Sequence, residues 1–531
     1  MEHLHSPINF MNTLKVYLTT LLLIVIGNAY GLDTNIEKYG AIGDGITLNS
    51  AAIQQAIDHC AQTGGGKVIF PAGRFVSGTI ALKSNVTLRL EKGAVLLGST
   101  DVNDYQNLDP FTEGLGIHVG WALVVGVDLQ NIGIEGEGVI DGRGSALKAQ
   151  QILTDNRPEG QRWGRRPFLL RLVRCERVHI QGVALNYSAA WTSHYYHCKQ
   201  VTIEHIKIVS RGVAHNDGID IDGCQNVHIS DSDIDSGDDA LCFKTTSSDM
   251  PCSAINVSGL KLKSGQGAIK MGTESMAAFQ DIKISNCYIY NTNNGGIKLL
   301  TVDGAYLNNV EISDITMVNV KTPILIRLGS RLSVFRKDQD KQQPTGRLEN
   351  VIIRNIKAQA ADTAQLKPPT GILITGVPGY NIKNLRLENI DIELAGGGTI
   401  ADSKQEVPEA IDKYPEVKTF GPLIPAYGIW ARHVEGLQII NVRLHLKNNE
   451  ERPAIICDDA RQITITHCAF PPTTGSLAII QLKHADDVTI NANKVEGTAG
   501  SFISIDNAKS KVTYKGNQVV KSLKMINSAL K

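Results

Sequence analysis

The sequence predicts an all-β chain wound as a parallel β-helix with a short capping helix at its amino end. A repeated strand, corners rich in Gly, Asn and Asp, and one amphipathic stretch ahead of the repeats predict it. The repeat reads RVHIQGVAL from 177, QVTIEHIKI from 200, NVHISDSDI from 226, AINVSGLKL from 254, DIKISNCYI from 281 and NVEISDITM from 309. The first hydrophobic residues fall at 178, 201, 227, 255, 282 and 310, which gives intervals of 23, 26, 28, 27 and 28. Later copies start at 350, 381, 436, 462 and 487. Alternation of period two marks short strands, and the polar corners leave no room for crossover helices. A short strand with one apolar face cannot bury it alone, whereas stacked coils of about 20–30 residues share one continuous interior. A β-propeller needs about 40 residues per blade and is disfavoured.

Ahead of the repeats, NSAAIQQAIDHCAQTGG (49–65) places Ala52, Ile53, Ala56, Ile57 and Cys60 on one helical stripe. Asn49 or Ser50 is the expected cap and the glycines from Gly64 to Gly66 the stop, so this helix covers the open end of the solenoid. Further upstream, VYLTTLLLIVIG (16–27) follows Lys15 and precedes NAYG. It is short for a membrane span and lacks a basic stop-transfer flank, which fits an export leader over 1–31 and no lasting membrane insertion. Cleavage is expected after Ala29 or Gly31, with Met11 the better start for such a leader. Residues 32–531 then form one β-helical domain.

Lys plus Arg and Asp plus Glu balance at 53 each. A chain without net charge offers no global field to nucleic acid or an anionic membrane. The 9 cysteines, 60, 175, 198, 224, 242, 252, 287, 457 and 468, form no CxxC pair. Buried thiols are the favoured reading, with one or two disulfides open to an exported chain. Three connections exceed a tight corner, at 143–167, 330–347 and 402–425, and long loops on a rigid solenoid carry specificity. In the first, Arg157, Arg162, Arg165 and Arg166 either meet an anion or form a solvated charge run.

The repeat also permits a stacking test. Aligning GIDI from 218, ALCF from 240, AIKM from 268 and GIKL from 296 sets Asp217, Asp239, Gly267 and Gly295 in one column. Asn216, Asp238, Gln266 and Asn294 form the next, and Asp220, Cys242, Lys270 and Lys298 a third. With adjacent coils about 4.8 Å apart, Asp217, Asp238 and Asp239 converge at one surface point. Carboxylates held that closely raise at least one proton affinity, and a general acid and base need opposite protonation states at one pH. Asp231, Asp233 and Asp235 read as solvated, and Asp222 as a corner cap. A calcium site is the main rival for the cluster, although two nearby lysines oppose a cation.

These residues carry a resemblance. With the opening YGAIGDGITLNSAAIQQAIDHCAQTGGGKVIFPAGRF, the chain resembles the polygalacturonase family of glycoside hydrolases, family 28, right-handed parallel β-helices acting on pectin. The family's NTD appears as His215-Asn216-Asp217 and its paired aspartates as Asp238 and Asp239 in SGDDALC. Its GHG is Gly265-Gln266-Gly267 here, and its RIK is Gly296-Ile297-Lys298. The resemblance implies an inverting hydrolase without a cofactor or metal, in which Asp238 protonates the glycosidic oxygen while Asp217 and Asp239 activate water. It also implies substrate contacts from Lys298, Lys270 and Gln266, while Asp220, in the same column as Lys270 and Lys298, is placed to orient or bind. In NYSAAWTSHYYHC, Trp191 is placed to stack on a sugar and His194 or Tyr195 to reach its hydroxyls; Tyr306 is a similar candidate. The expected partner is a pectic polysaccharide or oligosaccharide, including rhamnogalacturonan or side chains because the family's His and Arg are replaced. A calcium-dependent pectate lyase and a noncatalytic polysaccharide-binding solenoid are the alternatives.

Overall fold

The computed structural model describes residues 33–336, 341–471, 478–496, 500–506, 511–519 and 524–528. The expected leader and its cleavage positions lie outside the described residues. Among those described, no helix is long and apolar enough to cross a membrane.

The apolar repeat is the stacking register. Val178 lies on Val201, Val201 on Val227, Val227 on Ile255, Ile255 on Ile282 and Ile282 on Val310. The ladder continues through Val351, Leu385 and Leu437. The intervals read from the sequence are therefore coil lengths, and these parallel strands wind as a right-handed β-helix. Its interior is one aliphatic core running from Ile36 to Ile503. Corners repeat as faithfully. Asp314, Asn355, Asn389 and Asn441 all have positive φ, and each Asn amide donates to the residue one coil before it at 2.8–3.1 Å. Asn and Asp tolerate the left-handed conformation that a sharp corner demands, and the amide ladder satisfies their side chains.

The capping helix spans Ser50–Gln62 and buries Ile53, Ala56, Ile57 and Cys60. Asn49 occupies the N-cap but ties the preceding turn, its amide and carbonyl oxygen bonding Ile42. All nine cysteines are buried thiols. Cys175, Cys198 and Cys224 stack, with backbone N–H groups of Cys175 and Cys198 donating to the sulfur of the next coil at 3.4 and 3.3 Å.

Two features depart from the expected plain solenoid. An antiparallel hairpin of Gln106–Thr112 and His118–Val127 rises from an early coil. The 143–167 connection is not an open loop but contains a helix, Gly144–Thr154, and a helical turn, Glu159–Arg162. Each long element is held by a small apolar core outside the solenoid. Phe111 and Val119 of the hairpin pack with Trp163, Phe168 and Trp191. Val417, Phe420 and Ile424 of the 402–425 segment pack on Leu300, Leu325, Leu373, Trp430 and Ile456.

Candidate active site

One column of side chains explains where the site lies. Strand register stacks His194, Asp220, Cys242, Lys270, Lys298, Leu325, Leu373, Trp430 and Ile456 on successive coils. The column is polar where the acids gather and turns apolar at Leu325, where the 402–425 segment docks. The neighbouring residues follow the register expected from the repeat, with Ile219 on Leu241, Leu241 on Ile269 and Gly267 on Gly295.

Asp217, Asp238 and Asp239 consequently meet, with one oxygen of each within 4.8 Å of the others. Asp239 is buried, accepts the Gly267 N–H at 2.9 Å and takes Lys270 Nζ at 2.6 Å. Burial alone raises its proton affinity, but the Lys270 and Lys298 ammonium groups and those two hydrogen bonds outweigh it and hold the carboxyl below its usual range. Among the described residues no lysine bonds Asp238, whose Oδ1 accepts the Asp239 N–H at 3.0 Å. Desolvation, then the negative charges of Asp217 and Asp239, push it up to about 8. Asp217 is also driven upward, by burial and by Asp220, against the opposing Lys244 Nζ at 3.4 Å. Gly267 permits this packing, since a Cβ there would stand 3.0 Å from Lys298 Cδ and 3.1 Å from Asp239 Oδ1.

The three acids open into a cavity of about 480 Å³. The hairpin tip walls it with Glu113, Gly114 and Leu115, and the 402–425 segment with Tyr414, Glu416, Lys418 and Thr419. Gly114 N–H donates to Glu274 Oε1 at 3.1 Å, while Glu416 bonds Asn294 and stands 3.5 Å from Lys298 Nζ. Both walls are thus tied to the coils that carry the acids.

Residues 60–411 match the family described as glycosyl hydrolases family 28. The chain belongs to that family. This family 28 chain is 29% identical over 305 residues to a probable polygalacturonase of Vitis vinifera, covering 54% of this chain and 61% of that protein. It is 24% identical over 411 residues to an exo-poly-alpha-D-galacturonosidase of Dickeya chrysanthemi, covering 68% and 67%. The crystal structure of a hyperthermoactive exopolygalacturonase from Thermotoga maritima aligns with a TM-score of 0.57 and 25% identity, over 68% of this chain and 87% of that one. The chain spans 61% of the length of the first of these curated relatives.

Within the family 28 chain, the remaining expected residues divide. Trp191, Gln266 and Lys270 line the cavity. Gln266 accepts from Asn294 Nδ2 at 3.0 Å, so the replaced histidine position belongs to an amide network. Lys298 is buried behind the lining and paired with Glu416. Four more of the expected side chains stand away from the cavity lining. Asp220 is fully buried beside Asp217, a place that suits the orienting role. His194 is fully buried, stands 3.3 Å from Asp222 Oδ2, and is lowered to about 4, chiefly by desolvation. Tyr306 lies outside the cavity lining, its hydroxyl donating to Glu349 and its ring covered by Arg347 at 4.1 Å. Tyr195 is also interior, bonded to Ser193. The arginines hold their own segment together: Arg157 pairs with Asp155, Arg162 and Arg166 with Glu159, and Arg165 lies over Trp121.

Sequence reasoning missed Lys244, Glu274, Glu113 and the cavity-facing part of 402–425. Lys244 had a signal, because alternation places it on the same outward face as Cys242. Glu274 likewise follows Lys270 at an even spacing. The hairpin left none, and the length of 402–425 marked it as a specificity segment without saying where it docks, since both placements depend on packing between distant parts of the chain.

Proposed function

We propose that this chain is an exported, inverting glycoside hydrolase of α-linked, galacturonic-acid-containing pectic glycan. The carrying observation is the split between neighbours: Asp238 keeps its proton near neutral pH while Asp239 is held ionised by Lys270 and Gly267. Two adjacent carboxyls with opposite protonation form the acid and base set that glycoside hydrolysis requires. Asp238 donates its proton to the glycosidic oxygen as the C–O bond breaks. Water, held by Asp217 and Asp239, attacks the anomeric carbon and gives up a proton to one of these two carboxylates. Trp191 and Gln266 contribute to the surface that receives the sugar.

Family membership and the named activities of the relatives support a pectic substrate. A rhamnogalacturonan or side-chain preference is favoured by the replaced His and Arg positions. Gly296 is not simply a missing arginine, because a Cβ there would stand 2.7 Å from Met317 Sδ and 2.8 Å from the Pro323 carbonyl oxygen. The apolar stretch 16–27 supports export. Lys270 and Lys244, each within 3.4 Å of a carboxylate of the cluster, supply the positive charge that a lyase would take from calcium.

The test is incubation of the protein with homogalacturonan, rhamnogalacturonan and side-chain oligosaccharides while reducing ends and unsaturated products are followed. Reducing ends without unsaturation are expected. Unsaturated product would identify a lyase, and binding without cleavage across the panel would identify a polysaccharide-binding solenoid.

A further inference from the structure

Lys244 is the most heavily engaged cation of the cavity, yet it neither bonds Asp238 nor belongs to the lysine pair first expected to meet substrate. Its Nζ stands 3.4 Å from Asp217 Oδ2, 3.3 Å from Asp220 Oδ1 and 4.0 Å from Glu274 Oε2. It also lies 3.6 Å from the centre of the Trp191 ring. Its side chain is only 5% exposed, so the Trp191 face and the carboxylates replace its hydration. Asp220 is completely buried, and Lys244 Nζ and the Asp217 carboxyl are the groups its oxygens pair with.

An oxygen of Asp220 and one of Asp217 lie within 4.8 Å in this dry environment. Two carboxylates so close cannot both ionise without a counter-charge. The same ammonium stands almost equally near each, so it stabilises one negative charge shared between them. We propose that Lys244 is a positioning residue that holds this charge on the buried Asp217–Asp220 pair and so keeps a base available on Asp217. With the pair's proton on Asp220, which stands off the cavity lining, Asp217 is free to accept one from the attacking water. Burial raises the proton affinity of both carboxyls, Asp217's well above its ordinary value and Asp220's up to about 7, in keeping with one proton held by the pair.

The other groups around Lys244 define the balance. Glu274 and Lys270 face it from the next coil, Cys242, Asp238 and Asp239 from its own, Glu113 from the hairpin, and His194 and His215 from the preceding coils. Glu274 is held ionised against its own desolvation by Lys244, Lys270 and Arg331, so it competes for the same ammonium and limits how far Lys244 favours the pair. No anion from solvent is needed to complete this set.

The inference rests on the hydrolase reading for its kinetic part, and a spectroscopic arm separates the two. In Lys244→Met, kcat should fall about 100-fold with KM within about threefold, the size of a lost general base. The acid limb of the pH profile should move up by about one unit, because removing the cation raises the proton affinity of Asp217. Lys244→Arg should restore most of the rate. Independently of activity, infrared spectra at neutral pH should show one more protonated buried carboxyl in Lys244→Met than in the wild type. Asp220→Asn tests the pair from the other side, should Lys244→Met fail to fold: its acid limb should stay at the wild-type position, since a neutral amide then replaces a carboxyl that already carries the proton, whereas a limb moved down would show a charge on Asp220 and overturn the proposal. A raised KM with kcat and pH profile unchanged would make Lys244 a substrate ligand and overturn the proposal, as would unaltered carboxyl bands. A wild type inactive on every glycan with the infrared change present would sink the hydrolase reading alone.

Discussion

Lys270 Nζ lies 2.6 Å from Asp239 Oδ2, while Asp238, the preceding residue, is paired with no base among the described residues. That asymmetry sets two neighbouring carboxyls to opposite tasks. Removing the proton donor should therefore stop the chemistry and spare the fold. Asp238→Asn is expected to lower kcat by about 10²–10⁴-fold, the usual yield of general acid catalysis. Its thermal midpoint should match the wild type at pH 6, where Asp238 is already protonated, and steady-state rates with melting curves check both.

Rate should also fall on each side of a pH optimum. The alkaline limb reports loss of the proton from the group pushed up to about 8, and the acid limb reports protonation of the base carboxylates. Stability carries the same signature. The raised Asp238 stabilises the fold fully below its unfolded value of about 3.9 and loses that contribution as pH rises through about 8. Asp239, depressed in the fold, contributes above the unfolded value and loses its share as pH falls. Denaturation between pH 5 and 8 should show stability declining with pH in the wild type, and Asp238→Asn should flatten that slope.

Lys418 lines the cavity, and no carboxylate partners it among the described residues, whereas Lys244, Lys270 and Lys298 are all paired. It is the cation best placed to take a substrate carboxylate. Lys418→Gln should raise KM for an acidic oligosaccharide by about 3–10-fold, in line with an exposed charged hydrogen bond. The same substitution should leave KM for the methyl-esterified oligosaccharide unchanged, and initial-rate measurements on both substrates check the contrast.

Restoring the family's arginine should not restore its function. Gly296→Arg would drive a Cβ to 2.7 Å from Met317 Sδ, and overpacking of this kind costs about 1–3 kcal/mol. A lowered thermal midpoint without faster cleavage of homogalacturonan is the expected outcome.

The solenoid and the acid cluster were legible because both follow from strand register. Once Ile219, Leu241 and Ile269 are recognised as stacked interior positions, alternation fixes which way Asp220, Cys242 and Lys270 face. Asp217, Asp238 and Asp239 then converge without further information. What register cannot reveal is the covering of an outward position. His194 and Asp220 face outward as expected, yet the hairpin core around Phe111 and Trp191 and the Lys244 side chain bury them. The 402–425 segment reaches the site because Phe420 and Ile424 find Leu325, Leu373 and Trp430, contacts too distant in the chain for a local pattern to disclose.

The nearest oxygens of the three acids lie within 4.8 Å, closer than the roughly 6.5–9.5 Å between carboxyls of an inverting pair that flank a single water. On the proposed reading two carboxylates, Asp217 and Asp239, hold that water in place of a single base. The stereochemistry of the first product therefore tests the arrangement most directly. Proton NMR of an α-linked galacturonide oligosaccharide during the first turnovers should show the β-anomer appearing before mutarotation. An α-anomer as first product would contradict the assignment of a water-activating pair and place a covalent nucleophile in this cluster instead.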